Sequence, residues 1–192
     1  RVEGVIKGPE NSLKRKKETM TLPFVAEILD EDEVELTIAK KKYRLRKNTY
    51  SEWIELQFKA GFGIKVNGIA RFYLLETEPH FRLYMRPINI DPEKPALPVA
   101  FPYFYSVYLA KLFGKYATLG LAEDTWSLNE GILDEQAFLE QAYSIHEERE
   151  QQFFHALDKT RKGLCAVVID ATDRIQHMFF RTLDDDHPAN RG

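Results

Sequence analysis

The stretch Asp91-Pro92-Glu93-Lys94-Pro95-Ala96-Leu97-Pro98, with Pro102 close behind, divides this 192-residue chain into two textures. Prolines this dense lack amide donors and cannot sit in a helix interior or a central strand. Residues 91–102 therefore read as an extended connector, and the aromatic residues beside it favour an ordered one. Residues 1–90 read as a β-rich domain, and residues 103–192 as a helical return carrying one further strand.

In the first part, residues 21–29, 33–39 and 42–46 are short, partly alternating runs bounded by charged or turn-prone residues. From Ile54 the alternation is clean, which places Ile54, Leu56 and Phe58 on one face of a strand. Longer runs follow at 63–75 and 81–88, the first interrupted by Asn67-Gly68, a pair suited to a tight hairpin turn or a bulge. Such a pattern predicts an antiparallel curled sheet, sandwich or barrel-like insert, and with the helices beyond it an α+β fold.

Beyond the connector, Tyr105, Tyr108, Leu109 and Leu112 recur at helical spacing within 104–113, and Gly114 is a natural stop. A short helix is expected over 121–129. A long one is expected from Asp134, a good N-cap, to about Lys162, burying Phe138, Leu139, Ala142, Ile145, Phe153, Ala156 and Leu157. Gly163 ends it. The apolar run Leu164-Cys-Ala-Val-Val-Ile169 then reads as a buried strand of an α/β core, apolar on both faces. Without neighbouring strands it would expose its backbone edges. It should then pair within the β-rich part, pair with another copy of the chain, or be poorly ordered.

The chemistry-bearing residues follow that strand. Asp170 closes it, and Asp173-Arg-Ile-Gln-His177 comes three residues later. A helix starting near Asp173 would set a carboxylate and an imidazole one turn apart on one face. An oxygen and a nitrogen donor suit zinc or a similar divalent ion, and strand ends are where open α/β sheets place ligands. Catalytic zinc normally takes three protein ligands, so two donors make an incomplete site. The competing reading is a surface ion pair, with Asp173 as an N-cap.

Other groupings point less clearly to chemistry. His146 and His155 lie among Glu147, Glu148 and Glu150 on what reads as a solvated face, and Asp184 to His187 reads as a polar loop. Thr172 reads as a local backbone hydrogen-bonder. Cys165, the sole cysteine, excludes an internal disulfide and reads as a small buried hydrophobe. A net charge of −3 gives no field favouring nucleic acid, and Lys14-Arg15-Lys16-Lys17 reads as a solvated loop or strand edge. No membrane-spanning run and no secretory signal is visible, so the compartment stays open, with the cytoplasm favoured. The chain opens on Arg1 within a strand-like run, which suggests an excised piece or processed product.

At Asp170-Ala-Thr-Asp173-Arg-Ile-Gln-His177-Met-Phe the chain resembles the alkaline phosphatase superfamily, nearest to its predicted phosphohydrolase, phosphomutase and type I phosphodiesterase/nucleotide pyrophosphatase-like branch. Further wording of that branch occurs at Gly63-Ile-Lys-Val-Asn-Gly-Ile-Ala-Arg-Phe-Tyr-Leu, Pro87-Ile-Asn-Ile-Asp-Pro, Leu119-Gly-Leu-Ala-Glu-Asp-Thr-Trp and Glu147-Glu-Arg-Glu. The resemblance implies two divalent ions, commonly zinc, flanking a Ser or Thr nucleophile, with Asp173 and His177 as two ligands of one ion. The third ligand, the second ion's Asp-His pair and the nucleophile have no match here. Asp170 would orient a ligand from behind it. This implies a fragment of a phosphoric-ester hydrolase, inactive alone, whose parent acts on a phosphate ester. The alternative is a non-catalytic cap or assembly module with a residual Asp/His pair. Self-association through an exposed core strand is one of the three outcomes open to residues 164–169.

Overall fold

Apolar residues at every second position become the inner faces of pleated strands. Val34, Leu36 and Ile38 are all but inaccessible, as are Ile54, Leu56 and Phe58, while the residues between them face outward. The computed structural model describes residues 1–190. Among the described residues, β1 (Val2–Glu10), β2 (Thr19–Ile28), β3 (Glu33–Ile38) and β4 (Lys41–Arg46) form an antiparallel meander. β5 (Ile54–Gly61) and β6 (Ile64–Ala70) form a hairpin joined by β9 (Asn89–Ile90), and β7 (Phe72–Glu76) pairs with β8 (Arg82–Met85). One core draws on all three sheets, from Ile6, Leu22 and Leu36 through Leu56 and Phe58 to Phe72 and Leu74. With the helices below, the fold is α+β.

The turns and close approaches explain several positions. Ala39 and Lys40 link β3 to β4 with φ of 49° and 69°, the left-handed pair of a two-residue hairpin turn, here without the usual Asn or Gly. Asn67-Gly68 is neither turn nor bulge, which corrects the expectation. Both residues lie inside β6, opposite Gln57 and Leu56, and the hairpin turn is at residues 61–63. Gly68 serves a close approach instead: a Cβ there would come within 2.7 Å of Ile88 Cγ2.

The compact unit containing these strands runs from Arg1 to Thr118, so the proline-rich stretch and α1 (Phe104–Phe113) group with the sheets. The connector is fastened by polar contacts. Asp91, 1% exposed, accepts from the Glu93 amide at 3.0 Å and from Lys115 Nζ at 2.8 Å. Lys115 also approaches Glu55 and Glu93, both at 3.4 Å. Thr118 donates its amide to Asn89 Oδ1 and its hydroxyl to the Ile90 carbonyl. Helix α1 keeps its expected ends, but Tyr108 and Leu112 are exposed and Ser106, Leu109 and Ala110 form the buried face.

A second unit begins at Leu119. Its α2 (Thr125–Asn129) is capped by Asp124, whose Oδ1 accepts from the Ser127 amide, and α3 (Glu135–Lys159) by Asp134, which accepts from Ala137 at 2.7 Å. Burial along α3 covers Ala137, Phe138, Gln141, Ala142 and Ile145 and then stops. Phe154 and Leu157 are exposed and Phe153 and Ala156 only half-buried, so the expected stripe runs on without a cover. A final helix, α4 (Ala171–Phe179), packs on α3 with the Phe138 and Phe179 rings 6.0 Å apart.

Candidate functional site

Residues 164–169 correct the sequence reading most sharply. The expected buried strand has no regular secondary structure, and among the described residues no ladder includes it. Leu164 is 90% exposed and Val168 76%, and Cys165, expected to be buried, is half-exposed. The run is apolar enough for a sheet interior, yet among the described residues no strand lies beside it. Water covers side chains that would each gain about 1.5–3 kcal/mol from burial.

That segment leads directly into α4. Asp170 stands at the N-cap position but makes no capping bond. Its Oδ2 accepts from Arg149 Nη1 at 2.8 Å, a half-buried pair that ties the start of α4 to α3. Arg149 lies 21 residues earlier, and no local spacing announces it. The structure thus gives Asp170 an arginine partner on the neighbouring helix. Thr172 donates to the Ile169 carbonyl at 3.4 Å, the local bond expected of it.

Asp173 and His177 occupy one face of α4, with Oδ1 and Nε2 3.3 Å apart and side chains 59% and 72% exposed. Asp173 lies in the first turn, where the helix dipole favours a carboxylate, and His177 in the last. Zinc–nitrogen and zinc–oxygen bonds of about 2.0–2.1 Å at a tetrahedral angle would separate two donors by about 3.3–3.4 Å. The separation of the pair matches that of two corners of a zinc tetrahedron. The same spacing also fits an exposed ion pair, so donor count decides between them. Among the described residues no group of three or more His, Cys, Asp or Glu side chains could hold a metal. The pair supplies two donors and needs at least one more.

The space around the pair is open. Asp173, Gln176, His177 and Phe180 line a shallow depression, and His177 also borders a cleft of about 880 Å³ with Leu133, Glu135, Arg181 and His187. Arg181 in that cleft is paired with Glu135 and Asn190. Arg174, between the two candidate ligands, is half-buried, and its Nε has no hydrogen-bond partner. Asp184 to His187 form the expected polar turn, with the Asp186 and His187 amides donating back to Asp184.

No family model, curated protein or solved structure matches this chain.

Proposed function

We propose that this chain is part of a metal-dependent phosphoric-ester hydrolase of the alkaline phosphatase kind, and that Asp173 and His177 hold one divalent ion, zinc by donor chemistry. One observation carries the reading. An apolar run, beside which no strand lies among the described residues, leads straight into the helix that presents an oxygen and a nitrogen donor at zinc-edge spacing. A segment apolar on both faces suits the middle of a parallel sheet, and functional groups gather where such strands end. In this reading, residues 164–169 are a core strand whose neighbours come from outside residues 1–190. The remaining metal donors and the nucleophile come from there as well.

The ions of such a site neutralise charge on the attacking and leaving oxygens of the phosphate ester. This chain's share is narrower. Asp173 and His177 would hold one ion at a helix face, and the Arg149–Asp170 pair would fix that helix on α3. Residues 1–118 carry a core of their own and would be an insert in the parent enzyme.

The open reading frame around this chain and its turnover test the proposal together. Flanking sequence should supply a Ser- or Thr-bearing strand end upstream and an Asp-His pair downstream. The protein encoded by that frame should hydrolyse a nitrophenyl phosphate ester in an EDTA-sensitive way, whereas residues 1–192 alone should not. Robust EDTA-sensitive turnover by the isolated chain would overturn the fragment reading. A reading frame without those elements would favour the cap or assembly module, with Asp173 and His177 as a surface ion pair.

A further inference from the structure

Helix α1 is apolar or aromatic at every position but Ser106 and Lys111, a composition that suits a helix covered on all sides. It is covered on one. Ser106, Leu109 and Ala110 are buried, while Phe104, Tyr108 and Leu112 stand in water as a ridge at i, i+4 and i+8. The segment leading into the helix is similar. Leu97 and Tyr103 are largely exposed and Phe101 is 100% exposed, and the Tyr103 ring meets Phe104 edge-on at 6.0 Å. Single exposed apolar residues are ordinary, but a stretch carrying this many marks a surface that meets something apolar.

The charges along the stretch identify what that is. The chain has 30 acidic residues in 192, yet residues 94–118 contain none. Of the three lysines there, Lys115 is engaged by Asp91, Glu55 and Glu93. Lys94 and Lys111 are exposed, and among the described residues their ammonium groups form no ion pair or hydrogen bond. A second copy set against this face would oppose lysine to lysine, with no carboxylate from either stretch. A protein partner would also need a fitted pocket for Phe101, whose ring no neighbour covers. A bilayer containing anionic lipid meets both conditions. It offers negative charge at head-group level, and hydrocarbon that receives separate side chains without a fitted pocket. Tyrosine suits that boundary, with an apolar ring and a wet hydroxyl.

We propose that α1 and residues 97–103 dock on an anionic lipid surface. Phe101, Phe104 and Leu112 enter the acyl boundary, Tyr103 and Tyr108 stay level with the head groups, and Lys94 and Lys111 meet lipid phosphates. Among the described residues no helix is long and apolar enough to cross a membrane, so the contact is with one leaflet. The inference is independent of the phosphoesterase reading.

Flotation of the 192-residue chain with vesicles of phosphatidylcholine, alone or mixed with phosphatidylglycerol, tests this. The chain should float with the mixed vesicles and bind the neutral ones about tenfold more weakly, and salt should weaken only the first. Lys111→Gln should cost the mixed vesicles about fivefold, the scale of one lysine at an anionic surface, and leave the neutral ones unchanged. Phe101→Ser should weaken both about tenfold. Both positions are exposed, so urea midpoints should not move. Val168→Asp, in the exposed run of the second unit, should change nothing. Equal affinity for the two vesicles, or an indifferent Phe101→Ser, would overturn the proposal. So would binding lost with Val168→Asp, which would assign the lipid to residues 164–169. An absence of flotation would overturn it as well and leave the face to an acidic protein surface.

Discussion

Asp173 Oδ1 and His177 Nε2 face each other across one turn of α4 at 3.3 Å, both largely in solvent. Exposed i,i+4 pairs contribute little to stability, because water screens them and two side chains must be held still. Asp173→Asn and His177→Ala should each change unfolding free energy by less than about 0.5 kcal/mol. Urea denaturation monitored by circular dichroism measures this. A loss above about 2 kcal/mol would make the pair structural.

Lys115 is the opposite case, with a side chain 15% exposed and an Asp91 partner at 2%. Burial pushes the Lys115 ammonium downward, but the hydrogen bond and attraction of Asp91, with Glu55 and Glu93, outweigh it and leave it raised. Lys115→Met would strand the Asp91 carboxylate and should cost about 3 kcal/mol. The pH dependence has two limbs. Glu55 is held below its ordinary 4.5 by the Lys41 hydrogen bond, with Lys115 adding attraction. Its contribution is complete above about pH 4.5 and fades as pH falls through the lowered folded value. The Lys115 contribution is complete below about pH 10.5 and is lost as pH climbs through the raised folded value. Thermal melts across both limits should show decline at each end.

The β3–β4 turn offers a gain. Lys40 holds φ at 69°, a region that costs a residue bearing Cβ about 1 kcal/mol or more. Lys40→Gly removes that strain and should raise stability by about 0.5–1 kcal/mol after the entropy of glycine is counted. An unchanged or lower melting temperature would contradict the turn geometry.

An apolar run with free backbone edges is a template for self-pairing. Light scattering should therefore show concentration-dependent association of the chain. Val168→Asp should suppress it with no loss of stability, since Val168 is 76% exposed. A monomer at all concentrations would contradict this.

The sequence was most informative where local rules govern. Alternation placed Ile54, Leu56 and Phe58 on the inner face of β5, and Asp134 and Gly114 marked real helix ends. It misled where an outcome depends on a partner. Hydropathy shows what residues 164–169, Phe154 and Leu157 would bury against, and says nothing of whether that surface is present in the chain. The i,i+4 spacing of Asp173 and His177 was legible because a helix imposes it. The Arg149–Asp170 bond and the Lys115 cluster join residues far apart in sequence, so no window could display them.

Zinc titration of the 192-residue chain, followed by NMR on its histidine rings, tests the central claim most directly. The ring signals of His177 should move with weak affinity, as expected of two donors, and the response should vanish in Asp173→Ala and His177→Ala. A His177 ring indifferent to zinc would contradict the account, as would tight binding with a complete coordination sphere drawn from this chain alone.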